Sequence, residues 1–209
     1  MKHVVLLGDS IFDNAAYVGG GPDVVCQLRA ALPSDWRATL NALDGAVIAD
    51  VGAQLQRRPA EASHLVVSVG GNDALLAVGV LDERARSVGE ALDKLSYVRE
   101  RFWRDYGALL DAVAATGLPA AVCTIYEARF PEPDRRRVAA TVLTLLNDCI
   151  TREAFRRNFF LIDLRLICDS DDDFANPIEP SVRGGAKIAA AMARFVTGPA
   201  ASDSVVISR

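Results

Sequence analysis

The sequence predicts one α/β domain in which a mostly parallel, five-stranded sheet is covered by helices on both faces. Short apolar runs rich in β-branched residues alternate with longer segments of helical periodicity, which is typical of such folds. The length of 209 residues suits a single core, and 51% of the residues are hydrophobic. We therefore expect residues 1–209 to form one domain, with residues 197–209 as a loose tail or a short edge strand.

Five apolar runs predict the strands. They cover residues 4–7, 39–43, 65–69, 120–125 and 159–164. Four of them are continuous apolar segments, as expected of strands that are buried on both faces, whereas the run at 39–43 is weaker.

The segments between these runs predict the helices. They cover residues 23–32, 49–57, 82–115, 134–158 and 182–196. Open parallel sheets bind their ligands outside the carboxyl ends of the strands. Functional residues are therefore expected just after residues 7, 43, 69, 125 and 164, where Tyr126 is one candidate for the cleft.

Composition narrows the class of protein. With 23 basic and 27 acidic residues the formal charge is −4, which gives no electrostatic reason for nucleic acid or an anionic membrane as partner. The four cysteines form no C-x-x-C pair and there are two histidines, so no zinc site is expected. The apolar run at the N-terminus is too short for a signal peptide. These features predict a cytoplasmic protein with reduced cysteines and no membrane partner.

The first strand end carries the clearest chemical signal. Gly8-Asp9-Ser10 follows the strand directly, and a serine in this position can present its hydroxyl outward. The alternative is that Ser10 only caps a helix, because serine and aspartate are preferred caps.

Two other strand ends offer hydrogen-bond donors. Gly71-Asn72-Asp73 follows the third strand, and Asn72 can donate a side-chain N–H into the cleft. Gly45 follows the second strand and can offer its backbone N–H. Each could equally be an ordinary turn.

Taken together, these blocks resemble the SGNH (GDSL) hydrolase family. The resemblance implies a three-layer α/β/α sandwich of the flavodoxin-like type, with Ser10 as the nucleophile. It also implies an oxyanion hole made by the backbone N–H groups of Ser10 and Gly45 and by the side chain of Asn72, with Asp9 and Asp73 in support. No cofactor and no metal are needed.

The last block departs from the family pattern. The family has Asp-x-x-His before the final helix, and this chain has Asn176-Pro177-Ile178-Glu179. Glu179 is then the candidate base and Asn176 the residue that orients it. Burial near Ile178 could raise the pKa of Glu179 toward about 6–7, where general bases work best. Alternatively, Glu179 is a structural acceptor or favours the start of the helix.

The two histidines are not expected to replace the missing one. His3 and His64 stand at the starts of predicted strands, and a strand of four or five residues is roughly 13–17 Å long. Both should therefore lie at the opposite edge of the sheet from Ser10.

The sequence thus predicts a serine ester hydrolase that acts on a small-molecule ester. The alternative is a protein that kept the fold and the cleft but only binds a ligand. An acidic stretch at Asp169 and residues 171–173 is expected to be a solvated loop rather than a calcium site. The sequence does not fix the oligomeric state.

Overall fold

The computed structural model describes residues 1–198 and 206–207. It contains a parallel sheet in the order β2-β1-β3-β4-β5-β6. The strands are β1 (Lys2–Gly8), β2 (Trp36–Leu40), β3 (His64–Ser68), β4 (Ala120–Cys123), β5 (Phe160–Ile162) and β6 (Val206–Ile207). The predicted fold class is confirmed, but the sheet has six strands rather than five because Val206–Ile207 pairs with β5. The rest of the expected tail, from residue 199 onward, lies outside the described residues.

The second strand lies earlier in the chain than its predicted position at 39–43. β2 pairs with β1 from Lys2↔Trp36 to Leu6↔Leu40, and the next two backbone N–H groups both turn to the carbonyl of Leu6. An edge strand is covered on fewer sides, and β2 mixes buried and exposed side chains. For this reason it lacks the continuous apolar run that marks the inner strands.

Seven α-helices accompany the sheet in the described residues. They are α1 (Val24–Ala31), α2 (Val51–Gln56), α3 (Gly71–Leu76), α4 (Val88–Ala114), α5 (Pro133–Arg156), α6 (Leu164–Ile167) and α7 (Val182–Thr197). The short helices α3 and α6 were not predicted. The helix expected from residue 82 begins six residues later, because residues 78–82 form a 3₁₀ turn and Ser87 caps α4 by accepting the N–H of Glu90.

Alternate side chains of β1 feed two cores. Val4 and Leu6 belong to the core under α1 and α7, whereas Val5 and Leu7 belong to the core under α2, α4 and α5. Successive strand residues point to opposite faces, so the sheet is buried on both sides and forms the middle of three layers. No helix in the described part of the chain is long and apolar enough to cross a membrane.

Candidate active site

The turn after β1 positions Ser10. Gly8 has φ +130°, and a Cβ there would come within 1.7 Å of the carbonyl oxygen of Ser68. Only glycine fits so close to a neighbouring strand. Asp9 donates its N–H to the same Ser68 oxygen at 3.0 Å, and its own carbonyl accepts the N–H groups of Phe12 and Asp13. The chain therefore reverses tightly at the carboxyl edge of the sheet, with Ser10 in the turn.

Gln54, which the sequence analysis missed, fixes this turn through hydrogen bonds to the backbone of Gly8. The buried side chain of Gln54, on α2, accepts the Gly8 N–H at 2.7 Å and donates to the Gly8 carbonyl at 2.8 Å. Such a pair of bonds holds the end of β1 as an additional strand would. No sequence signal marks Gln54 beyond its being a polar residue between Val51 and Leu55, which are buried.

Glu179 lies against Ser10. The Ser10 hydroxyl donates to Glu179 Oε1 at 3.0 Å, and both side chains are buried. Asn176 makes no hydrogen bond to the carboxyl group. Its Oδ1 accepts the backbone N–H groups of Ile178 and Glu179, at 2.9 and 3.0 Å. Asn176 thus closes a turn and orients Glu179 through the main chain.

The loop that carries Glu179 is held by hydrogen bonds from two distant loops. The hydroxyl of Tyr126 donates to the Ile178 carbonyl at 2.7 Å, and the backbone N–H of Arg129 donates to the Pro177 carbonyl at 2.7 Å. Asn14, which sequence reasoning also missed, donates its side-chain N–H to the Pro180 carbonyl at 3.1 Å. Asn14 therefore joins the serine turn directly to the glutamate loop.

Burial changes the acid–base properties of both carboxyls in the site. Desolvation raises the pKa of Glu179 to about 7, although the hydrogen bond from Ser10 opposes the shift. Desolvation also raises the pKa of Asp9 to about 8, against the hydrogen bond from the Ile11 N–H. Oε2 of Glu179 is buried without a hydrogen-bond partner among the described residues. Glu179 can therefore accept a proton near neutral pH.

The expected oxyanion donors surround the serine turn. Within residues 1–198 and 206–207, no partner is found for the backbone N–H groups of Ser10 and Gly45. Gly45 has φ +78° in a turn beside the end of β1. The side chain of Asn72 donates to the Ala46 carbonyl at 2.9 Å, which leaves its second amide hydrogen available. Asp73 accepts the Ile48 N–H at 3.1 Å, so it supports the same turn from behind.

A cavity of about 590 Å³ opens over these groups. Asp9, Ser10, Asn72 and Glu179 line its inner end, whereas Gly45, Asp73 and Asn176 are not in its wall. Exposed charged side chains lie at its mouth, namely Asp82, Asp134 and Arg135. Between the two ends the wall is mainly apolar, with Val98, Ile125, Val142 and Leu146 among its residues. The site can therefore hold an apolar group next to the serine.

Neither histidine contacts Ser10, as expected. His3 pairs with the Thr39 hydroxyl at 2.7 Å, and the ring of His64 packs 4.9 Å from the ring of Trp36. Both stand at the amino edge of the sheet. The acidic stretch differs from the expected solvated loop, because Asp173 is fully buried and bonded to Lys187 at 2.7 Å. The described residues contain no group of carboxylate, histidine and cysteine side chains that could hold a metal ion.

Comparison with known proteins gives one family and many solved structures. The sequence model of the GDSL-like lipase/acylhydrolase family matches residues 6–187. The extracellular lipase of Streptomyces rimosus is 16% identical, with TM-score 0.66, over 96% of this chain and 100% of that one. LAE5, a hydrolase from the Lake Arreo metagenome in Spain, is 20% identical, with TM-score 0.68, over 95% and 97%.

Phospholipase A1 from Streptomyces albidoflavus is similar to the same extent. It is 16% identical, with TM-score 0.65, over 95% of this chain and 98% of that one. The comparison with curated proteins gave no match. At these identities the solved structures establish the shared fold, whereas the match over residues 6–187 concerns the sequence itself.

Proposed function

The chain belongs to the GDSL-like lipase/acylhydrolase family, and on that premise we propose that it hydrolyses acyl esters through Ser10, with Glu179 as the base. One observation carries the proposal: the Ser10 hydroxyl donates to Glu179 Oε1 at 3.0 Å at the inner end of an apolar cavity. A buried serine needs an adjacent proton acceptor to become a nucleophile, and this carboxylate is in reach.

In the first half of the reaction, Ser10 Oγ attacks the ester carbonyl while its proton passes to Glu179 Oε1. The carbonyl oxygen becomes an oxyanion, for which the N–H groups of Ser10 and Gly45 and the amide of Asn72 are the proposed donors. When the tetrahedral intermediate collapses, the C–O bond to the alcohol breaks and Glu179 returns the proton to the leaving oxygen. Loss of one such donor typically costs about 3–4 kcal/mol in the barrier.

In the second half, water replaces the alcohol. Glu179, again ionised, accepts a proton from the water as it attacks the acyl-enzyme carbonyl. Collapse then releases the carboxylic acid and returns the proton to Ser10 Oγ. A carboxylate base becomes neutral when it is protonated, so no counter-charge is needed behind it. Asn176 can therefore stand where the family has an aspartate.

The pKa of Glu179 makes this replacement workable. A free glutamate, with a pKa of about 4.3, is a weak base for a serine proton. Burial raises the value in this site to about 7. The base is thus stronger than an ordinary carboxylate and is still ionised in a large fraction of molecules at neutral pH.

The cavity wall favours an apolar acyl chain over a sugar or another polar group. Most side chains that line the cavity between its catalytic end and its mouth are aliphatic. Each methylene of an acyl chain that is buried there contributes about 0.8 kcal/mol to binding. We therefore expect kcat/KM to rise roughly three- to fourfold for each methylene added to the acyl chain, until the cavity is filled.

The experiment is hydrolysis of p-nitrophenyl esters of increasing chain length by the wild type, Ser10→Ala and Glu179→Gln. Both variants should lose activity by roughly a thousandfold or more, since nucleophile and base act as one unit. Reaction of Ser10 with a fluorophosphonate probe, detected by peptide mass spectrometry, checks the nucleophile separately. Equal rates for the wild type and Ser10→Ala would overturn the proposal.

The pH profile gives a second test. Glu179 must be ionised to accept a proton, so kcat/KM should rise with pH, reach half its maximum near the Glu179 pKa of about 7, and level off above it. Ionisation of Asp9, with a pKa of about 8, places a second negative charge in the same cavity and should lower the rate again. Asp9→Asn should remove the alkaline decline and keep the acidic one.

A second function has one observation in its favour. A carboxyl with an unpartnered oxygen stands where the family has an imidazole, an arrangement that also suits a protein that binds an apolar acid or alcohol without turnover. This alternative predicts that fatty acids or fatty alcohols raise the unfolding temperature while no ester is hydrolysed. Ser10-dependent turnover would exclude it.

A further inference from the structure

Two long helices extend beyond the core on the side of the cavity. In α4 the first buried residue is Phe102, and in α5 it is Leu143. Residues 88–101 alone span about 21 Å at 1.5 Å per residue. Both helices start at the carboxyl edge of the sheet, so their first halves form walls around the mouth of the cavity.

Exposed apolar side chains line that mouth or lie in the segments that form its walls. We call this set the apolar rim: Leu75, Leu76, Val78, Leu81, Val88, Leu92 and Val138. Half of the large hydrophobic side chains exposed in the described residues belong to it. Leu76 is 79% exposed, Val88 78% and Leu92 59%. Single exposed apolar residues need no explanation, but a group of them around one opening marks an interaction site.

The rim is continuous with the interior of the cavity. Leu75, Val78, Leu81 and Val138 are exposed and also line the cavity. On α4, Val88 precedes Leu92 by four residues and the cavity residue Val98 by ten. The helical period therefore places these three side chains toward one side of the helix. An apolar chain that enters between these rim residues therefore meets a mainly apolar wall on its way to Ser10.

Charges around the rim are balanced. The segments that carry it, residues 75–94 and 131–138, contain six acidic and six basic residues, namely Asp82, Glu83, Glu90, Asp93, Glu132 and Asp134 against Arg84, Arg86, Lys94, Arg135, Arg136 and Arg137. A surface that attracted anionic lipids would carry an excess of lysine and arginine. The rim therefore fits an apolar surface whose headgroups carry no net charge.

We propose that the apolar rim docks on the surface of a zwitterionic lipid bilayer, so that an acyl chain enters the cavity without crossing water. The entry of a chain to be cleaved rests on the proposed function, whereas the docking does not. A second copy of this chain on the rim would instead cover the opening and exclude substrate. From the sequence we expected no membrane partner, because the net charge is negative. Docking through apolar side chains does not require a positive net charge.

The test is flotation with phosphatidylcholine vesicles, using the Ser10→Ala protein so that binding is measured without turnover. We expect the protein to float with the vesicles. A triple variant on this background, with Leu76→Ser, Val88→Ser and Leu92→Ser, should bind at least about tenfold more weakly, since three apolar side chains leave the lipid. These positions are exposed, and an unchanged unfolding temperature checks that the variant still folds.

Tyr97→Ser is the matched control. Tyr97 is 65% exposed on the same helix, but the helical period places it on the side opposite Val88. Its loss should leave vesicle binding unchanged. Absence of flotation, equal binding by the triple variant, or binding only to anionic vesicles would overturn the docking. So would a wild-type dimer, seen by sedimentation, that the triple variant abolishes.

This design separates the two proposals. Vesicle binding by Ser10→Ala together with an inactive wild type would leave the docking standing and remove the proposed function. Ester hydrolysis without vesicle binding would do the reverse.

Discussion

The two loops that bring Ser10 and Glu179 together are built in different ways. The nucleophile loop, residues 8–14, continues a central strand, and backbone ladders and Gln54 fix its start. The base loop, residues 176–181, follows no strand. Tyr126 and Arg129, both in the loop after β4, and Asn14, in the serine turn, hold it from two other parts of the chain.

The difference shows that the two halves of the site have different vulnerabilities. A change in the nucleophile loop acts on the sheet itself, so it should alter global stability together with activity. A change in the base loop removes one of several separate hydrogen bonds that hold it, so it should cost more activity than stability. Four substitutions test this contrast, taken from the largest expected effect to the smallest.

Gly8→Ala should be the most damaging. The new Cβ would lie 1.7 Å from the Ser68 carbonyl oxygen, at φ +130°, and the backbone of β3 cannot withdraw without breaking the ladder. We expect a loss of more than about 4 kcal/mol or failure to fold, measured by urea unfolding. Gly52→Ala is the control, because no atom beyond its own helix backbone lies within 4 Å of the new Cβ. Equal stability of the two variants would show that the end of β1 is not rigid.

Asp9→Asn should change how stability depends on pH. The pKa of Asp9 is raised from 3.8 to about 8 in the folded protein, chiefly by desolvation. The folded state therefore holds a proton that the unfolded state releases, and wild-type stability falls as pH rises from about 4 to 8. At pH above 8 Asp9→Asn should exceed the wild type by several kcal/mol, at about 1.4 kcal/mol per pKa unit.

The measurement is urea unfolding of both proteins on either side of this pH range. The asparagine oxygen can still accept the Ile11 N–H, so the turn keeps its hydrogen bond. A stability difference that stays constant with pH would mean that Asp9 is ionised in the folded protein throughout.

Asn176→Ala should lower activity more than stability. It removes the acceptor of two N–H groups and frees the turn that carries Glu179. We expect a loss of about 1–2 kcal/mol in unfolding and a fall in kcat of at least about tenfold with KM little changed. Asn176→Asp keeps an acceptor at the same place and should retain most activity. Inactivity of both variants would assign Asn176 a role beyond closing the turn.

Tyr126→Phe should have the smallest effect. It removes one hydrogen bond to the Ile178 carbonyl and leaves the ring packed against Phe174. A loss of about 1 kcal/mol and a few-fold fall in kcat are expected, from thermal unfolding and ester hydrolysis. A complete loss of activity would show that this hydroxyl alone holds the base loop, against the idea of several fastenings.

Much of the framework could be predicted from local patterns. The inner strands are apolar on both faces, so their sequences are continuous apolar runs, and four of the five predicted strands overlap the observed ones at nearly the same residues. The predicted position of the edge strand β2 was wrong because β2 mixes buried and exposed side chains. The two-residue strand β6 is too short to carry a recognisable pattern. The start of α4 was predicted six residues too early, because a 3₁₀ turn covers residues 78–82 and the helix begins only after its cap at Ser87.

The sequence by itself determined the fold class, the place of Ser10 at the end of β1, and the position of Glu179 before the last helix. These follow from hydrophobic periodicity and short motifs, which act over a few residues. The family resemblance pointed to Glu179 as the partner of Ser10, but only the tertiary structure decided their hydrogen bond, the raised pKa of Asp9, and the roles of Gln54 and Asn14. Hydrogen bonds and burial depend on atoms far apart in the chain, and local patterns carry no information about which distant groups will meet.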